Sequence, residues 1–291
     1  MNEQGLLTKD SVVVDTDSKL NRHLRLLEVF SIAAGAMISS GLFVLPGIAF
    51  EKAGPAIILS YAIAGLLNIP VMLSQIELST AIPKTGGAYV HIERSLGPLL
   101  GAFAGLANWL SMTLKATFAL VGIGALGTLL MPGLGIWGIK VTAIFACLGF
   151  ALLITVSTKG SGKLQVILVV VLLTILTGYV ITGFKEISAE HYTPPIPHGW
   201  QTVFAVSGMV FIAYGGLTKV ANLSEEIVKP GRTLPRGMFL AFAVVTSLYV
   251  MVVFVTVGIL KPSALAGSLT PISLGAKVAI GKWGELAVSI A

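Results

Sequence analysis

Charge is scarce in this chain. Only 11% of its 291 residues are charged, less than half the roughly 25% of a soluble domain. With 55% apolar residues and a mean hydropathy of +0.91, a water-soluble globule of this length is excluded. Cysteine is nearly absent: Cys147 stands alone inside an apolar block, which excludes an internal disulfide and a cysteine-based metal site. The four histidines (His23, His91, His191, His198) are scattered, with no pair at ligand spacing. No nucleophile elbow and no paired intramembrane carboxylates occur, which argues against an enzyme. Nothing resembles a selectivity filter, which disfavours a channel. The first 25 residues lack a short apolar core with a small-residue cleavage site, so no cleaved signal peptide is read and the first apolar block itself directs insertion.

What the chain does have is apolar blocks of about 20 residues, the length a helix needs to cross the ~30 Å hydrocarbon layer. They lie at 26–50, 55–81, 98–130, 136–156, 164–183, 203–227 and 237–260, and a further one begins near 271 and is still running at 291. An apolar helix rarely stops without a polar cap, so the chain is expected to be part of something longer. The net charge of +6 reflects the links between spans and calls for no nucleic-acid partner. With the N-terminus inside, one face collects Lys19, Arg22, Arg25, Lys84, Arg94, Lys159, Lys163, Lys229, Arg232 and Arg236. The other has Lys52, Lys185, Lys261 and little else. The positive-inside rule then predicts a cytoplasmic N-terminus. Segment 184–199, with its run Pro194-Pro195-Ile196-Pro197, becomes an outer loop, semi-rigid and exposed.

Two spans share an unusual feature. The first contains Ala34-Gly35-Ala36-Met37-Ile38-Ser39-Ser40-Gly41 and the sixth Phe211-Ile212-Ala213-Tyr214-Gly215-Gly216-Leu217-Thr218. Glycine and small polar residues near mid-membrane weaken a helix where its backbone bonds are easiest to release. An unwound backbone there must be buried in protein or line a cavity. Two interruptions five spans apart are the expected trace of an inverted repeat with a midplane site. The alternative is straight helices that use the glycines for close packing.

These residues resemble the amino acid–polyamine–organocation superfamily of permeases. Gly35 to Pro46 is similar to its first-span signature. Glu77-Leu78-Ser79, Pro83 and Gly86-Gly87-Ala88-Tyr89 resemble its second-span exit. Phe211 to Arg236, with Glu225-Glu226, Pro230, Arg232 and Pro235-Arg236, resembles its sixth span and following loop. The resemblance implies an all-α polytopic membrane protein with a five-plus-five inverted-repeat transporter fold, discontinuous helices 1 and 6, and truncation within helix 8. Residues 1–25 would be a cytoplasmic tail, 26–183 the first repeat, 184–199 an outer loop and 200–291 an incomplete second repeat. The implied activity is secondary transport of an amino acid across the plasma or inner membrane, as a symporter or antiporter. A polyamine or cationic amino-acid carrier, or a transport-dead sensor on the same fold, stays open. Residues 1–291 alone are expected not to transport.

A mid-membrane site for an amino acid must satisfy a carboxylate and an ammonium without water. The break in the first span offers N–H groups at Ser39, Ser40 and Gly41 for the carboxylate. By resemblance, the carbonyls of Ile212, Ala213 and Gly215, with that of Met37, take the ammonium. Leu217 and Thr218 would tune side-chain selectivity. The small lining residues Ala36, Ile212 and Ala213, with no acid among them, lean toward neutral substrates. Many relatives carry an aromatic gate where this chain has Ile212, with Phe211 beside it. No organic cofactor is implied; Na+ or H+ stays open as coupling ion. The span-five lysine of some relatives is replaced here by Leu172, which leaves room for a sodium ion held partly by carbonyls near Ala33 and Ala36.

Lys115, near the middle of the third span, is costly in a bilayer and marks the protein interior. It is read either as a bundle-stabilising lysine or as a charge or proton carrier near the pathway. Gly97, Gly101 and Gly105 form a small-residue ridge of the kind that packs helix on helix. Glu225, Glu226 and Arg232 are candidates for an inner ionic gate, against the plainer reading of a solvated helix end. His91, Glu93 and Arg94 fall where relatives place a short re-entrant helix. Glu77 reads as a structural salt bridge or cap. Oligomeric state is open.

Overall fold

The computed structural model describes residues 22–130, 135–156 and 161–290; Lys19, Lys159 and most of the N-terminal tail lie outside the described residues. Among the described residues the regular structure is helical, apart from one isolated bridge between Leu24 and Ile227. Six helical stretches are long and apolar enough to cross a membrane: 45–81, 98–125, 135–152, 165–186, 199–222 and 230–259. The chain is thus a multi-pass membrane protein. The exposed Phe103, Trp109, Ile144 and Phe145 on the third and fourth spans give those helices the apolar outer face that lipid tolerates.

The first span is divided. Helix α1 (Leu26–Met37) ends where Ile38 turns extended, α2 (Ser40–Phe43) restarts the helix, and α3 (Leu45–Ala53) follows. Gly54, at φ +60°, turns the chain into α4 (Ile57–Ala81). A short helix, α5 (Ala88–Leu96), precedes the 33-residue α6 (Pro98–Leu130), as the re-entrant reading expects. Two glycines of the expected ridge seat α5: a Cβ at Gly101 would meet Glu93, and one at Gly105 would lie 3.1 Å from Tyr89, whereas Gly97, at φ +93° with open space around it, ends α5 instead. Helices α7 (Gly135–Val156) and α8 (Ser161–Gly183) complete the first five spans.

The sixth span is not unwound: its backbone stays helical over 199–222 and tightens to 3-10 geometry where the sequence predicts a break. Helix α9 (Gly199–Phe211) passes into a 3-10 segment at Ile212–Leu217, then into α10 (Thr218–Asn222). Helix α11 (Pro230–Ile259) returns and packs on α1, α4 and α8. The loop 184–199 is pinned to its end: Ser188 N–H donates to the Gly258 carbonyl (3.0 Å), and the Tyr192 ring stacks on Phe254 at 5.0 Å. The proline run itself is exposed, as expected.

The last stretch departs from expectation. A short helix, α12 (Pro262–Leu265), is followed by α13 (Pro271–Ile280) and α14 (Lys282–Ile290), not by one apolar span from 271 onward. Gly281, at φ +82°, stops α13 in a conformation that L side chains avoid. The two helices then fold back on each other. Ser289 bonds Ser273 (3.3 Å), and Lys277 pairs with Glu285 (3.2 Å), two contacts centred on Gly281. Ten residues span only about 15 Å, half a bilayer core.

The contacts also sort the links into two ends. Residues 23–24, 84–87 and 222–228 meet at one. Residues 47–54, 188–197 and 254–268 meet at the other. This is the division that the cations predict.

Candidate functional site

The interruption of the first span touches the 3-10 segment of the sixth. A Cβ on Gly41 would run into Ala213, and one on Gly216 into the backbone of Ala36 and Met37. Both glycines are there because two backbones pass at near-contact distance. The carbonyl of Ala36 faces Gly216, so this expected cation-site residue is turned toward the sixth span. Ala33 is buried inside α1.

Breaking the first span releases carbonyls that need partners; two tyrosines reach carbonyls there, while a third tyrosine and an asparagine tie the sixth span to α4. The Tyr249 hydroxyl donates to the Met37 carbonyl (2.6 Å) and Tyr61 to that of Gly41 (2.7 Å). Tyr214, inside the sixth-span 3-10 segment, donates to the Tyr61 carbonyl (3.1 Å). The Asn68 amide reaches the Phe211 carbonyl at 3.4 Å. The rings pack together, Tyr214 and Tyr249 at 5.2 Å and Tyr61 and Tyr249 at 5.9 Å. Sequence reasoning missed Tyr61, Tyr249 and Asn68. The available signal was a hydrogen-bonding group inside an apolar span, which seeks a partner when buried.

A cavity of about 310 Å³ opens where the two segments meet. Gly41, Ile212 and Ala213, all predicted, line it with Lys115, and so do Leu45, Ser111, Leu114, Phe118 and Met209. Ile212 lines this space and is itself largely exposed, and Phe211 is not part of the lining. Thr218 instead serves the backbone, donating to the Gly215 carbonyl (2.8 Å), and Leu217 is buried. Of the four carbonyls expected to hold an ammonium, those of Met37 and Gly215 therefore already accept a hydroxyl. Ser39 lies on the far side of the break, lining a second cavity of about 390 Å³ with Thr270, Ser273 and Ser289. Its hydroxyl is buried there without a partner. Ser40 opens α2; its side chain lies outside the described residues.

At Glu225 and Glu226, predicted for an inner gate, the links are joined by a hydrogen-bonded latch. Thr85 donates both its N–H (3.2 Å) and its hydroxyl to the Glu225 carboxylate, and the Ser224 hydroxyl donates to the Lys84 carbonyl (3.1 Å). His23 and Leu24 donate backbone N–H groups to the Glu226 carbonyl, and Val228 returns one to Leu24. Glu226 also faces His23 at 3.8 Å. Arg232 is exposed and makes no ion pair among the described residues, and neither does Glu77.

The Thr85 hydroxyl and then its N–H hold the Glu225 carboxyl below its ordinary range, with Lys84 and Arg22 adding attraction. A depressed carboxylate favours the latched state above the ordinary pKa and loses that contribution as pH falls through the lowered one. The latch is therefore intact at pH 7 and weakens only once the pH falls below the ordinary carboxylate range. Thr85→Val and Glu225→Gln should mimic acid. In a Cys147→Ser background with Val220→Cys, both should speed labelling by an impermeant maleimide from the N-terminal face. Equal labelling rates would show that the latch does not control access.

A family profile described as "Amino acid permease" matches residues 24–291. The branched-chain amino acid permease BcaP of Lactococcus lactis subsp. cremoris is 29% identical over 281 residues, covering 89% of this chain and 60% of that protein. BcaP of Bacillus subtilis is 26% identical over 284 residues, at 92% and 61% coverage. Cationic amino acid transporter 5 of Arabidopsis thaliana is 28% identical over 262 residues, at 85% and 45%. The chain thus spans about three-fifths or less of the length of these relatives. With all but its first 23 residues matched by one profile, this chain belongs to the amino acid permease family, transporters of the amino acid–polyamine–organocation superfamily.

Proposed function

We propose that this chain serves a secondary transporter that carries a neutral amino acid across the cell membrane by alternating access, with its N-terminus in the cytoplasm. The observation that carries the reading is the meeting of the interrupted first span with the 3-10 segment of the sixth at Gly41–Ala213 and Gly216–Ala36, beside a cavity with a mostly apolar lining. First-turn N–H groups of a helix precede any intrahelical acceptor, so the restart at α2 suits a carboxylate. The Ile212 and Ala213 carbonyls, in the 3-10 segment that lines the cavity, would receive the ammonium through their second lone pairs. Leu45, Leu114, Phe118 and Met209 would accept an apolar side chain. The two bacterial relatives are named for branched-chain amino acids, which agrees with that lining. Na+ or H+ would be the co-transported ion.

The test is uptake by the protein from its complete reading frame, in liposomes, of labelled leucine, alanine, arginine and putrescine, with and without Na+ and a pH gradient. Leucine or alanine should enter and dilute with unlabelled amino acid, and Ser40→Phe should stop it. Measurable binding without uptake of any substrate would point to a sensor instead. Entry of putrescine or arginine alone would overturn the neutral assignment.

A further inference from the structure

Resting on the reading of the 310 Å³ cavity as the substrate site, we infer that Lys115 is a specificity-determining residue whose positive charge bars cationic side chains. Lys115 is the eighteenth residue of the 33-residue α6, so each helix end is more than about 20 Å away along the axis. Even from mid-membrane, where each face is about 15 Å away, its side chain is too short to snorkel to bulk water. It is half-buried instead and lines the cavity. Its ammonium comes to 3.9 Å from the position a Cβ would take on Gly215, placing the charge beside the sixth-span 3-10 segment. Ser111, Leu114 and Phe118 line the same cavity at the helical spacing that puts them on one face with Lys115.

Nothing at the site offsets this charge. No acidic side chain lines the cavity, and Lys115 is in no ion pair among the described residues. The other charge that acts on it is Lys219, of the same sign. A guanidinium or ammonium on a substrate side chain would meet an uncompensated cation where water screens poorly, and repulsion there far exceeds its value in bulk water. The α-ammonium common to every amino acid is offset by its own carboxylate, which Lys115 attracts, so a branched aliphatic side chain adds no further repulsion and the discrimination falls on the side chain. The cavity therefore discriminates by exclusion as well as by fit.

The experiment compares arginine with leucine uptake, as a ratio, in liposomes carrying the protein from its complete reading frame. Lys115→Glu should raise the ratio at least about tenfold, Lys115→Met by less, and Lys115→Arg should leave it low. Ser111→Asp, which sets a carboxylate one turn away with Lys115 in place, should raise it too and stands in if the Lys115 variants fail to fold. An unchanged ratio in Lys115→Glu or Ser111→Asp protein that still takes up leucine overturns the inference. So does loss of leucine uptake in folded Lys115→Met protein that still binds leucine, which would make the amine part of coupling. Failure of the unsubstituted protein to take up leucine would sink the neutral-substrate reading instead.

Discussion

Gly216→Ala should cut amino-acid uptake by about ten- to a hundredfold while leaving the spans inserted, because the added methyl is driven into the Ala36 carbonyl and the Met37 nitrogen. Overpacking of this kind costs about 1–3 kcal/mol, and each 1.4 kcal/mol is tenfold. The obstacle is backbone, so no side-chain change relieves it. Gly41→Ala is the informative contrast. Its methyl meets the side chain of Ala213, so Gly41→Ala with Ala213→Gly should recover a good part of the uptake lost in Gly41→Ala alone. Reconstituted uptake, with circular dichroism as the folding check, measures both. Wild-type uptake in Gly216→Ala protein would mean that the two segments do not need their close approach.

Tyr249→Phe should destabilise the protein by about 1–3 kcal/mol, the cost of leaving a buried polar group unsatisfied. The Met37 carbonyl loses its 2.6 Å partner at a depth where water cannot replace it. In detergent the melting temperature should fall by about 2–4 °C for each kcal/mol. Tyr61→Phe should act similarly through Gly41, whereas Tyr89→Phe, on the exposed α5 surface, should change little. The double variant Tyr61→Phe/Tyr249→Phe should depart from additivity, since the two rings touch and hold the two ends of one unwound segment. A Tyr249→Phe protein with unaltered melting and uptake would show that the released carbonyl finds its partner elsewhere.

The candidate site was legible in part because its determinants are local. Glycine and serine near mid-span weaken a helix wherever they occur, so the interruption at 38–39 and a weakened stretch at 212–217 could be read from Gly35-Ala36-Met37-Ile38-Ser39-Ser40-Gly41 and Tyr214-Gly215-Gly216, although the second only tightens to 3-10 geometry. Lys115 was legible for a similar reason, since a lysine in the middle of 33 helical residues has few places to go. The chain's end was misread because hydropathy from 271 to 291 outweighed one glycine. Gly281 acts through its dihedral angle, and neither hydropathy nor composition reports an angle.

Residue order alone is enough to establish a multi-pass helical membrane protein, the links that share an end, and the interruption of the first span. Those follow from apolar length, cation placement and backbone propensity, all properties of short segments. Tertiary structure decided which released carbonyl is capped by which tyrosine, that Ser39 and Gly41 face different cavities, that Glu225 is latched by Thr85 and not by Arg232, and that Lys115 stands beside Gly215. Each of these joins residues far apart in the chain, such as Tyr249 and Met37, separated by 212 positions. Such pairings are fixed only when helices pack and every buried polar group must find a partner.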